Sequence, residues 1–191
     1  MVNILRKSTT IALVLVVVVL LFLNLQVATA HNWDGYHWDR CGNPTTIRVW
    51  NFASQFAEAE AALNDWDSNT ILSLPRRTSH TDISVFDGFY GLTGWSGLAS
   101  LEDLDFGWWE CWTWCHIAHA HARVNLTYTG APAAFSPNIQ GIFCQEIGHC
   151  FGLDHSNTGD CMGKTYYNNI NVTGPHNWSD IQRYLCGGTH P

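Results

Sequence analysis

Residues 144–155 read CQEIGHCFGLDH, and this stretch sets the reading of the whole chain. Gln145 and His149 lie four residues apart, so on a helix they share a face, with Glu146 beside them. Gly152 lets the chain turn sharply, and His155 then returns to the same point from outside the helix. Two imidazoles and a third oxygen or nitrogen donor are the ligand number of a catalytic zinc, which keeps its fourth position open. A carboxylate placed like that of Glu146 is the base such a site needs to take a proton from water.

The surrounding sequence predicts an α+β domain. Ser136-Pro137 reads as an N-cap followed by proline at the first helical position. Ile139, Phe143, Ile147, Cys150 and Phe151 then fall on one side of the helix, and Gln145, Glu146 and His149 on the other. Residues 45–50 (TTIRVW) alternate and are β-branched, which predicts a strand. After it, Phe52, Phe56, Ala59, Leu63 and Trp66 recur at helical spacing, with Asn51 as the expected cap. Short strands are expected at 71–74, 81–86 and 122–128, with mostly loop in the Gly-, Trp- and Asp-rich stretch between the last two, and a final helix at 179–185.

The segment 145–155 resembles the metzincin signature H-E-x-x-H-x-x-G-x-x-H at every fixed position but the first, and Cys161-Met162-Gly163 resembles the Met-turn of that superfamily. Within it the chain is most similar to the matrixin branch. The resemblance implies a twisted mixed sheet with two main helices, an active-site helix and a small C-terminal subdomain after the Met-turn. It further implies that His149 and His155 bind Zn2+, that Glu146 is the general base, that Met162 forms a floor under the metal, and that the activity is that of a zinc endopeptidase acting on proteins or peptides.

The departure is Gln145, where the signature has histidine. An amide oxygen is a weaker zinc ligand than imidazole. Three readings follow: Gln145 binds through its oxygen; Asp154, His176 or one of His116, His119 and His121 replaces it; or the site is inactive and the fold serves binding. Some exported bacterial metzincin-like sequences carry QExxHxxGxxH. Lys164 stands where some metzincins have a tyrosine, with Tyr166 and Tyr167 following later.

Other features carry weaker signals. In HIAHAH, His119 and His121 share a strand face and offer a second metal site, in a part of the domain where matrixins hold a structural zinc; Asp103 and Asp105 are the acidic candidates. The alternative is a polar strand entry. Residues 39–44 (DRCGNP) resemble the matrixin cysteine switch, and the odd count of seven cysteines suits a free Cys41. Its early position favours a disulfide instead, for example to Cys186. Cys144–Cys161 is the preferred bridge near the metal, and Cys111–Cys115 would close a small loop. Trp108, Trp109, Trp112 and Trp114 form either a contact surface for protein or carbohydrate or a local packed cluster.

Residues 1–30 read as a secretory signal: Arg6 and Lys7, an apolar run over 11–23, and Ala28-Thr29-Ala30 as a cleavage site. The run is shorter than the roughly 18 apolar residues a spanning helix needs. Cleavage leaves residues 31–191 as one domain and takes the net charge from −7 to −9, because two cations and no acids leave. An acidic chain without a Lys/Arg run excludes nucleic acid as a partner. The expected product is a secreted monomer with no lasting membrane partner. The rival expectation is a secreted, catalytically inactive binding module that uses the tryptophan-rich loop. Sequons at Asn125, Asn171 and Asn177 are glycan acceptors if the host glycosylates.

Overall fold

A computed structural model describes residues 35–40, 44–105, 115–129, 138–157, 159–163 and 173–185. The signal segment, Cys41, Cys111, Cys186, the four tryptophans of 108–114, Lys164, Tyr166, Tyr167 and Asn171 lie outside the described residues, and the Cys115 side chain is likewise not described.

The fold is mixed, with a mostly parallel sheet and three α-helices among the described residues. The elements in chain order are β1 (Tyr36–His37), β2 (Thr45–Thr46), β3 (Val49–Asn51), α1 (Phe56–Asn69), β4 (Leu72–Ser73), β5 (Ile83–Gly88), β6 (Gly97–Asp105), β7 (Cys115–Asn125), α2 (Ile139–Cys150) and α3 (Pro175–Tyr184). β7 is central. One of its edges takes β6 antiparallel; the other takes β1 and then β5, both parallel, and β5 in turn pairs with β3. β4 runs parallel to β2, and hydrogen bonds from Thr45, Ile47 and Val49 to the 71–75 backbone carry that pairing on to a bridge between Val49 and Arg76. Across the sheet the order is therefore β4, β2/β3, β5, β7, β6, and only the last runs against the others.

α1 packs on α2, and α2 packs on β6 and β7. Ile47, Val49, Leu63, Trp66, Val85, Ala122, Val124, Phe143 and Ile147 are fully buried between these layers. Two indoles tie the core to the backbone of α2: Trp66 Nε1 donates to Cys144 O (3.0 Å) and Trp38 Nε1 to Cys150 O (2.9 Å).

Several expectations are corrected. Asn51 belongs to β3 and does not cap the first helix; α1 starts at Phe56 because the Asp87 carboxylate at the end of β5 accepts from the Ser54 and Gln55 amides (2.7 Å each). Phe52 and Phe56 are consequently exposed (46% and 57%), and the buried face is Ala59, Ala62, Leu63 and Trp66. The stretch expected to be loop contains β6, nine residues long. The last helix begins at Pro175, earlier than 179, since Gly174 and Pro175 supply its entry. Asn125 is fully buried and its amide nitrogen donates to Gly91 O (2.9 Å) and Thr93 Oγ1 (3.0 Å), so the folded chain leaves it no room for a glycan. Asn177 is buried too, at 2% exposure.

Candidate metal centre

α2 is capped by Asn138, whose side chain accepts from Gly141 N, and it carries the polar residues of the signature into the interior. Gln145 is fully buried, Glu146 is 2% exposed and His149 8%. Three buried polar side chains on one helical turn are costly unless each finds a partner. The hydrogen bonds anchor His149 and one end of Gln145, and they single out one Gln145 atom.

His149 Nδ1 lies 2.7 Å from Leu153 O. A carbonyl only accepts, so Nδ1 carries the hydrogen and Nε2 is left with its lone pair. Burial pushes the imidazole down to about 4; the Leu153 hydrogen bond opposes that, and the neighbouring His155 ring adds to it. His149 is therefore neutral at physiological pH, the form that binds metals. Its Nε2 faces His155 Nε2 at 3.3 Å. Two nitrogens bound to one tetrahedral zinc at about 2.0–2.1 Å would stand roughly 3.3–3.4 Å apart, so the pair is already spaced for a shared ion.

Gly152 makes this return possible. With φ of 91° it occupies the left-handed region after the helix, and Gly152 N and Leu153 N bond back to His149 O (2.9 Å) and Gly148 O (3.2 Å). A Cβ there would also run into Tyr36 O of β1.

Gln145, four residues before His149 on α2, is the candidate third donor. Its Nε2 donates to Gly163 O at 2.7 Å, which fixes the amide one way round. The other end, Oε1, is buried and has no hydrogen-bond partner among the described residues. A buried acceptor left unmade costs about 1–3 kcal/mol, and a cation at this point would satisfy it. Asp154 and His176, the alternative third ligands, are engaged elsewhere: Asp154 Oδ1 accepts from His155 N (2.6 Å), and His176 Nδ1 lies 3.0 Å from Asp180 Oδ2 on α3. No group of three or more His, Cys, Asp or Glu side chains is placed to hold a metal among the described residues. Here the set is two imidazoles and an amide oxygen, and it fits zinc as a neutral, weaker donor set.

Glu146 follows Gln145 on α2, and its carboxylate lies against Gly97, the first residue of β6: a Cβ at 97 would overlap Oε1 of Glu146 and Cγ2 of Ile142. Below the helix, Met162 is fully buried with its sulfur against Gly148, where a Cβ would overlap it. The 160–163 turn is fastened by Ser156 N to Met162 O (2.8 Å), Met162 N to Asp160 Oδ1 (2.9 Å) and the Cys144–Cys161 disulfide, the expected pairing. Cys150 is a buried free thiol, held well above its ordinary pKa by burial. It accounts for the odd cysteine, so the count no longer favours a free Cys41.

The second histidine cluster divides. His116 packs its ring edge-on against His37 (4.9 Å) and lies 3.8 Å from Asp39. His119 and His121 share a face, with Nε2 atoms 3.0 Å apart. The acid beside them is Glu102, 3.1 Å from His121 Nδ1, a residue that sequence spacing did not suggest in place of Asp103 or Asp105. It became visible only through the cross-strand pairing of β6 with β7.

Compared with known proteins, the chain matches no protein-family model and no curated protein sequence.

Proposed function

We propose that the protein is a secreted zinc-dependent endopeptidase of the metzincin type, with Gln145, His149 and His155 holding the metal and Glu146 as the general base. The observation that carries this reading is the buried, partnerless Gln145 Oε1, together with two imidazole nitrogens at 3.3 Å. The strand order with its single antiparallel edge strand, and Met162 packed beneath α2, support the resemblance found in the sequence.

Bound at these residues, zinc supplies a Lewis acid that acidifies water and polarises a carbonyl. Glu146 takes the proton from the attacking water and passes it to the leaving amine. Its carboxylate lies beside Gly97, the first residue of β6. Residues 122–125 belong to β7, whose edges are taken by β5 and β6, so no substrate can add there. β6 pairs only with β7 among the described residues, and its open edge begins beside Glu146. An extended peptide adding to that edge would bring its backbone to the base.

The deciding experiment measures the metal content of the purified mature chain, beside Glu146→Ala and Gln145→His variants. About one zinc per chain, chelator-sensitive cleavage of a broad protein substrate, and loss of cleavage in Glu146→Ala with zinc retained are the expected results. Zinc in Gln145→His but none in the native chain would sink the enzyme reading and favour the binding module.

A further inference from the structure

The two ends of a glutamine amide have nearly the same shape, and only one of them can bind a cation. A half-turn of the Gln145 amide would aim its NH2 at the metal. What prevents it is one acceptor, Gly163 O, 2.7 Å from Nε2. The placement of that carbonyl is therefore as important to metal binding as the glutamine itself.

Gly163 belongs to a turn distant from α2 along the chain. Within the turn, Gly163 N bonds to Asp160 O (3.0 Å), and Asp160 Oδ1 accepts from Met162 N (2.9 Å) and Ser156 Oγ (3.2 Å). A bridge pairs Gly163 with Ser156, the residue after His155. These bonds hold the turn to the His155 segment. The covalent tie to the helix is the disulfide, from Cys144 immediately before Gln145 to Cys161 two residues before Gly163, across a sequence separation of 17.

We propose that the Cys144–Cys161 disulfide is a positioning element for the metal: it holds the Gly163 carbonyl against Gln145 and keeps the amide oxygen facing the ion. This rests on the metal site proposed above. It assigns the bridge a role specific to a glutamine ligand, because imidazole is a stronger zinc ligand and does not depend on an amide being held one way round.

The test is the zinc affinity of the folded mature chain, measured by competition with a chromophoric chelator, for Cys144→Ala/Cys161→Ala with and without Gln145→His. Losing the partner behind a ligand lowers metal affinity about 10–100-fold. That fall is expected with Gln145 in place, and a clearly smaller one with Gln145→His, where the stronger imidazole ligand takes over. Equal falls in both backgrounds would mean a general loss of stability, and no fall in either would mean the bridge is irrelevant; both overturn the proposal while leaving the metal site standing. A native chain that binds no zinc overturns the site and the proposal together. Should the double variant fail to fold by circular dichroism, Asp160→Ala loosens the same turn with the disulfide intact, and the same contrast between backgrounds is expected.

Discussion

Two pairs of histidines in this molecule look alike, and they teach different things. His149 and His155 bring Nε2 atoms to 3.3 Å, and His119 and His121 to 3.0 Å. In each pair one ring is anchored by Nδ1 to a backbone carbonyl, Leu153 O in the first and Thr81 O in the second. The difference is in what stands behind the other atoms. Arg123 NH2 lies 2.6 Å from His121 Nδ1, closer than Glu102 Oε1 at 3.1 Å, and a guanidinium has no lone pair, so with Arg123 as its partner Nδ1 accepts. His121 Nε2 then carries hydrogen and donates to His119 Nε2, and every polar hydrogen in that pair has an acceptor. The first pair can close in the same way, but the adjacent Gln145 Oε1 cannot. Close approach of two imidazoles is therefore weak evidence for a metal; a third buried donor with nothing to bind is stronger.

The largest expected effect comes from truncating one ring in each pair. His149→Ala should abolish zinc binding, a loss greater than the about 10–100-fold that removing a supporting partner produces. His119→Ala should leave the stoichiometry unchanged. Mass spectrometry of the two purified variants decides it: zinc lost from both would make the second pair part of the metal chemistry.

Next in size is Gly97→Ala. The new Cβ would occupy the space of Glu146 Oε1, backed by Ile142. Moving a catalytic group by about 1 Å can cost on the order of 100-fold in rate, and no ligand is touched. We expect kcat/KM to fall by that order with zinc content unchanged. Unaltered cleavage would show that the Glu146 carboxylate does not act from beside β6.

Much of this site was legible in the sequence because its spacings are local. Gln145, Glu146 and His149 follow the helical period, Gly152 marks the turn, and Cys144 and Cys161 flank the same ligands. What was missed depends on strand pairing. β6 does not alternate cleanly: Leu98, Glu102 and Asp103 are exposed around an irregularity between Leu101 and Leu104, so its pattern reads as loop. Phe52 and Phe56 have the helical period but lie at or before the point where Asp87, more than 30 residues on, sets the start of α1. Gly97 against Glu146 and Glu102 beside His121 are contacts across the sheet and its covering helix, and no window of sequence contains both partners.

The third expectation concerns pH. Burial holds His149 at about 4, against 6.5 for a free imidazole. The folded state resists protonating this ring, so its contribution to the stability of the metal-free protein is complete above about 6.5 and declines as pH falls towards 4. A shift of this size corresponds to at most about 3–4 kcal/mol. Denaturant unfolding of the metal-free chain at pH 7 and pH 4.5 should show the loss, and His149→Phe should reduce it. An imidazole resonance of His149 titrating near 6.5 would contradict the burial argument.

The smallest effect is expected at Glu102, and it bears on whether the second pair is a solvated network. Hydrogen bonds from Ser100 and then Arg123 hold Glu102 at about 2, against an ordinary 4.5. Its contribution is therefore present above about 4.5 and lost as pH falls towards 2. The side chain is 36% exposed, and water screens the pairing, so the shift overstates the stability. Glu102→Gln should cost less than about 1 kcal/mol, with the same value whether or not zinc is added, because the His119–His121 contact closes without it. A zinc-dependent stability difference between Glu102→Gln and the native chain would instead place an ion between those rings.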